Sequence, residues 1–247
     1  AKDAPAPKVE SDVYIPDVES GMRPKLTGEV EAALAALQVQ GEAGVNLAER
    51  DFVRELRALC SERGLLLIVD EVQTGVGRCG QAFAYQLFDI EPDLMTLAKG
   101  LGGGVPLAAL LCKEAFNCFQ PGDQGGTFCG NPLMAAVGLA VLGEVCSAGF
   151  LQTVRQRADQ LSQGLQRIAR EHGLPGERGA GLLRALMLPD ERAEAIVDAA
   201  RELGPQGLLL NAPRPHLLRF MPALNISAGE IDQALEMLRA ALREVGV

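Results

Sequence analysis

The stretch from Leu65 to Gly104 constrains the fold more than any other part of the chain. It opens with Leu65 to Val69, a short aliphatic run without polar alternation, as expected of a strand buried on both faces of a parallel sheet. Asp70 and Glu71 follow at the carboxyl end of that strand, the place where open α/β sheets gather their ligands. A second apolar segment, Leu94 to Ala98, delivers Lys99, and Gly100, Gly102, Gly103 and Gly104 come directly after it. A lysine desolvated at a buried strand end has its neutral amine available to condense with an aldehyde. Glycines beside it let backbone pass close to a bulky ligand. An acid able to keep a pyridine nitrogen protonated, a Schiff-base lysine and adjoining glycines together point to pyridoxal phosphate. The run LLLIVDE also has the form of a magnesium-holding acid after a strand in P-loop ATPases, but that reading needs a Gly-Lys phosphate loop, and the chain contains no Gly-Lys dipeptide.

Around this stretch the periodicity alternates between helix and strand, which indicates an α/β fold with a mostly parallel sheet. The first 28 residues, with Pro5, Pro7, Pro16 and Pro24 among scattered charges, read as irregular coil. Glu29 to Leu37 has a helical pattern. Asp51 to Arg63 is an amphipathic helix with Phe52, Leu56 and Leu59 on its apolar stripe, ended by Gly64. Pro106 to Leu111 reads as a strand and Lys113 to Phe119 as a short helix. Pro132 then opens an apolar helix over Leu133 to Cys146. After a domain change near Ser147 to Gly149 come a helix over Gln152 to Glu171, a strand over Leu182 to Leu188 and a helix over Glu191 to Leu203. Strands over Gly207 to Leu210 and Leu217 to Phe220 precede a last helix, Gly229 to Glu244, announced by the capping box of Ser227 and Glu230. The organisation is an irregular segment (1–28), part of a large ligand-binding domain (29–148) and a small α+β C-terminal domain (149–247).

Hydrophobic residues make up 48% of the 247, enough for a substantial core, and no apolar run is long enough to span a bilayer. A net charge of -9 argues against a nucleic-acid or anionic-membrane surface and in favour of small-molecule work. Six cysteines without a CxxC pair, and no charged-then-apolar leader, read as reduced thiols of a cytoplasmic protein with no metal site.

Four segments resemble class III aminotransferases of pyridoxal-phosphate fold type I: IVDEVQTGVGRCG, PDLMTLAKGLGGGVPLAA, GGTFCGNPL at Gly125 to Leu133, and NAPRPHLLRFMPAL at Asn211 to Leu224. The last is similar to the acetylornithine and ornithine branch. The resemblance implies that Asp70 pairs with the pyridine nitrogen and Lys99 holds the cofactor aldehyde and moves the substrate proton. It further implies that Gln73 donates to the cofactor's phenolic oxygen, and that Thr127 reaches the cofactor phosphate of a neighbouring subunit in a homodimer. Arg219 would take the substrate α-carboxylate bidentately. Glu42, in QGEAG, would pair with Arg219 when an ω-amino donor is bound and swing away for 2-oxoglutarate. The implied reaction moves an amino group from N-acetylornithine, or a donor like ornithine, to 2-oxoglutarate, as in arginine biosynthesis. The family's phosphate-cradling segment is not recognisable in this chain, and Leu37 and Gln38 stand where relatives have Glu and Pro. A second reading therefore stays open: an aminotransferase-fold protein that does not retain the cofactor by itself.

Overall fold

The computed structural model describes residues 33–36, 39–118, 120–123 and 125–247; the irregular segment expected over 1–28 lies outside them. The first sheet has strand order β1-β4-β5-β6, built from β1 (Ala33–Ala36), β4 (Leu66–Asp70), β5 (Leu94–Leu97) and β6 (Ala109–Cys112). β1, β4 and β5 run parallel, and β6 returns antiparallel to β5. The helix expected over Glu29 to Leu37 is corrected where it is described, because Ala33–Ala36 pairs in register with Leu66–Val69. A parallel ladder with β4 satisfies the backbone there, and tertiary pairing overrides the helical preference of alanine. β4 itself buries Leu67 and Val69 completely, while Leu66 and Ile68 on the other face are only half covered.

Helix α1 (Arg50–Arg63) ends at Gly64, whose φ of 67° closes the helix in the left-handed conformation. Its buried stripe is Val53, Leu56 and Cys60, one residue on from the stripe expected at Phe52 and Leu59, which are only half-buried. Asp93 locks this layer together: it accepts from Leu67 N at 2.9 Å and from Arg57 Nη1 at 2.6 Å, with Lys113 Nζ at 3.3 Å. A two-strand hairpin, β2 (Val39–Gln40) and β3 (Asn46–Leu47), stands beside the sheet. Among the described residues of the stretch expected as a helix, Lys113 to Phe119, only a 3-10 turn forms, Glu114–Phe116. Helix α2 (Pro132–Val145) is capped by the Asn131 side chain, which accepts from Leu133 N and Met134 N.

The second sheet is antiparallel, in the order β7-β8-β10-β9. Its strands are β7 (Gly176–Ala180), β8 (Leu183–Met187), β9 (Asn211–Arg214) and β10 (Leu217–Phe220). Helices α3 (Ala148–Glu171), α4 (Ala193–Glu202) and α5 (Ala228–Val245) pack with it around Leu165, Ile168, Leu186, Ile196, Leu218, Leu238 and Leu242, all fully buried. Burying each such side chain contributes about 1.5–3 kcal/mol. The capping box at the start of α5 forms as expected, with Ser227 N donating to Glu230 Oε2 at 2.8 Å. The strand expected over Gly207 to Leu210 is displaced to Asn211–Arg214, because pairing with β10 matches Arg219 to Asn211 and Leu217 to Arg214. Leu209 is left 85% exposed.

A third cluster joins the two sheets. Val39 and Val45 of the hairpin, Cys79 and Ala84 of the segment after β4, and Ala180, Leu183 and Leu217 of the second sheet are buried together. Burial pushes the Cys79 thiol up to about 12.

Candidate active site

The site lies along this seam, at the carboxyl ends of β4 and β5. Val39, Gln40, Gly41, Glu42, Ala43, Asp70, Val72, Gln73, Thr74 and Lys99 line one cleft of about 250 Å³. Four of the six residues singled out from the sequence, Glu42, Asp70, Gln73 and Lys99, are therefore brought to one cavity. Asp70 is the last residue of β4, and its Oδ1 accepts from Val72 N at 2.9 Å and from Thr96 Oγ1 at 3.1 Å. Thr96 stands opposite Asp70 in the β4–β5 register. Anchored on one oxygen by both its own loop and the neighbouring strand, the carboxylate has a fixed orientation in the cleft.

Lys99 begins a 3-10 turn directly after β5, with φ at 44°. A left-handed conformation in a residue other than glycine costs of order 1–3 kcal/mol and collects at functional sites. Val45 (φ 58°) and Val76 (φ 52°), buried and β-branched, share it on the two other segments at the seam. The expectation that Lys99 is buried is corrected: the strand before it is covered, but Lys99 itself is exposed at the cleft.

Arg219, on β10, reaches the cleft from the second sheet. Its Nη1 donates to Glu42 Oε1 at 2.7 Å and to Gly41 O at 2.9 Å, and its Nε donates to Asn211 Oδ1 at 2.9 Å. The same Glu42 oxygen also accepts from Gln73 Nε2 at 2.8 Å. The Arg219 guanidinium, and after it the Gln73 carboxamide, hold the Glu42 carboxyl below the ordinary carboxylate range. Thr127 is not brought to this cleft; it sits on the exposed turn 127–130.

Sequence reasoning missed Thr96 and Asn211; it set Glu71 beside Asp70 at the strand's carboxyl end and gave it no separate role. Glu71 is 1% exposed and does not line the cleft; it accepts from Thr74 Oγ1 at 2.6 Å and from Tyr85 N at 2.8 Å. Burial pushes its carboxyl up. The adjacent pair Asp70-Glu71 was the available signal: successive residues at a strand end point opposite ways, so one faces the ligand and the other the loop.

The site therefore combines a fixed acid, an accessible amine on a strained backbone, and a largely covered arginine paired with an exposed acid. Comparisons with known proteins give the family. Residues 13–242 match the sequence model described as aminotransferase class-III. The chain is 52% identical over 243 residues to acetylornithine aminotransferase 2 of Bordetella parapertussis, covering 97% of this chain and 61% of that protein. It is 56% identical over 208 residues to acetylornithine aminotransferase of Ralstonia nicotianae, covering 84% and 52%. The crystal structure of N-acetylornithine aminotransferase from Stenotrophomonas maltophilia superposes with a TM-score of 0.77 at 38% identity, covering 87% of this chain and 57% of that one. The chain thus spans between half and two-thirds of the length of the relatives it matches. With a family match over most of its length and an acid, a lysine and an arginine converging where the two sheets meet, the chain belongs to the class III aminotransferases.

Proposed function

We propose that this chain carries the lysine, acid and arginine of a pyridoxal-phosphate-dependent ω-aminotransferase that moves an amino group from N-acetylornithine, or a donor like ornithine, to 2-oxoglutarate. The observation that carries the reading is the convergence of Lys99, Asp70 and Glu42 on one cleft, with Arg219 bonded to Glu42. Class III aminotransferases use pyridoxal 5'-phosphate. The residues present fit two ends of that group: Asp70 is a carboxylate of fixed orientation for a protonated ring nitrogen, and Lys99 is an accessible primary amine for an aldehyde. Bound there, the cofactor supplies a ring that accepts the electron pair released at the substrate carbon.

The protein's own residues do the rest. Asp70 holds the proton at the ring nitrogen, and Lys99 Nζ takes and returns the substrate proton. Gln73 donates toward the phenolic oxygen. Arg219 engages the substrate carboxylate as a planar guanidinium with two donors, and Glu42 covers it when the substrate end is not an acid. Thr127 serves the phosphate of a partner copy across a two-fold axis. Its exposed turn, with Phe128 85% and Leu139 of α2 73% exposed, supports an apolar interface there. The reading also includes fold type I, a division between large and small domains at the break before α3, and arginine biosynthesis in the cytoplasm. Among the described residues no single helix is long and apolar enough to cross a membrane.

The exposure of Lys99 favours one competing reading, a chain that keeps the fold without retaining the cofactor. Adding pyridoxal phosphate, recording the absorbance spectrum, reducing with borohydride and mapping peptides decides between them. Our reading expects a band near the imine region and the pyridoxyl group on Lys99, both lost in Lys99→Ala. No band, or label scattered over other lysines, favours the cofactor-free protein.

A further inference from the structure

The two bonds that meet on Glu42 Oε1 carry an inference beyond the roles proposed for each residue. Arg219 Nη1 and Gln73 Nε2 donate to the same oxygen, at 2.7 and 2.8 Å. We propose that Arg219, Glu42 and Gln73 form a three-membered latch, in which a ligand carboxylate that displaces Glu42 from Arg219 also frees the Gln73 carboxamide to donate into the cleft. The proposal rests on the carboxylate-binding role of Arg219 proposed above, and makes Gln73 a positioning residue that responds to the ligand's charge.

Three features decide which partner moves. Arg219 is held from two further sides, by Asn211 Oδ1 and Gly41 O, and its side chain is 11% exposed. Glu42 is 71% exposed, on the tight turn between β2 and β3. A competing carboxylate therefore displaces Glu42 and leaves the arginine in place. Gln73 cannot follow Glu42 outward: its neighbour Thr74 is buried and bonded to Glu71, and its own carboxamide lies against Gly41. A Cβ on Gly41 would fall 1.3 Å from Gln73 Oε1, so the amide oxygen occupies space that only glycine leaves open. The carboxamide is thereby oriented with its oxygen over Gly41 and its N–H groups toward Glu42. Once Glu42 leaves, the half-buried Gln73 N–H has lost its acceptor and is free to donate to a ligand or to water in the cleft.

The test needs no cofactor. The Gln73 side-chain amide is assigned in the nitrogen-15 spectrum of the whole chain by its loss in Gln73→Met, and glutarate serves as an unreactive dicarboxylate probe. Glutarate is expected to shift that resonance with the midpoint measured by calorimetry. Glu42→Ala, a change at an exposed position, is expected to place the resonance at the shifted position before any glutarate is added. Arg219→Lys is expected to weaken glutarate binding about tenfold or more. Gly41→Ala is expected to abolish the spectral response while glutarate still binds; if that variant does not fold, Glu42→Ala carries the test. Glutarate binding through Arg219 with an unmoved Gln73 amide overturns the latch and leaves the proposed activity standing. Failure of glutarate to bind overturns both the latch and the role given to Arg219, whatever the cofactor spectrum shows.

Discussion

Glu42 is the residue on which the site's charge balance turns, and its titration has a definite sign. Its carboxyl is held below the ordinary value of 4.5, first by the Arg219 hydrogen bond and then by that from Gln73. An acid whose folded value is depressed contributes stability that is complete above its unfolded value and is lost as pH falls through the folded one. The Glu42–Arg219 pair is therefore intact across neutral pH and opens only in acid. Following the Glu42 side-chain carboxyl carbon by NMR checks this: the midpoint is expected to rise in Arg219→Lys and to rise less in Gln73→Ala. Equal midpoints in all three proteins would contradict the order of causes. At this scale Asp70 and Lys99 were legible as residues that follow short apolar strands, whereas Glu42, Gln73 and Arg219 were named through the resemblance of their segments to class III aminotransferases. Thr96 and Asn211 were not legible. Each acts through a cross-strand partner, Asp70 for one and Arg219 for the other, and register is not written in either strand alone.

The element that shapes the cleft is the segment from Glu71 to Tyr85, folded back on the buried Glu71 carboxylate. Both oxygens are used, one by Tyr85 N and one by Thr74 Oγ1. Glutamine can keep both contacts, since its oxygen still accepts from Tyr85 N and a threonine hydroxyl can accept as well as donate. Glu71→Gln is therefore expected to stay within about 1 kcal/mol of the wild type, whereas Glu71→Ala loses roughly 1–3 kcal/mol for each donor left unpaired. Burial raises the Glu71 carboxyl, so the folded state holds its proton above the unfolded value of 4.5 and loses stability as pH rises through the raised one. Urea midpoints measured as a function of pH are expected to show that decline in the wild type and not in Glu71→Gln. Among the elements, β4, β5, α1 and α5 were legible because an aliphatic run, a glycine stop or a capping box marks each. β7 was not. Its sequence is GERGA, with Gly176 and Gly179 at positive φ, and it forms a strand only because β8 pairs along it.

At the scale of the whole molecule, the site works only if the sheet carrying Asp70 and Lys99 stays fixed against the sheet carrying Arg219, and Arg78 is the strut between them. Its Nη1 donates to Leu182 O at 3.1 Å and to Pro222 O at 2.6 Å, and its own carbonyl accepts from Leu182 N at 2.9 Å. Arg155 adds a bond to Gly80 O at 2.9 Å. The backbones approach so closely that a Cβ on Gly181, already at φ 55°, would fall 2.4 Å from Arg78 O. Burial pushes the Arg78 guanidinium down, and its two carbonyl acceptors have few alternatives in the seam. Arg78→Met keeps much of the volume and removes the donors, so it is expected to cost roughly 2–3 kcal/mol in urea denaturation, as for buried bonds to a charged group. Arg201→Met, which breaks an exposed pair with Asp198, provides the control and should cost less than about 1 kcal/mol. If the two substitutions cost the same, the seam is held by the apolar cluster of Val45, Cys79, Ala180 and Leu217 alone. If Arg78→Met costs more and also raises the Glu42 titration midpoint, the strut sets the distance across which Arg219 meets Glu42, and the tail of the Asp70 motif, from Val76 to Gly80, is accounted for as the part that joins the two halves of the site.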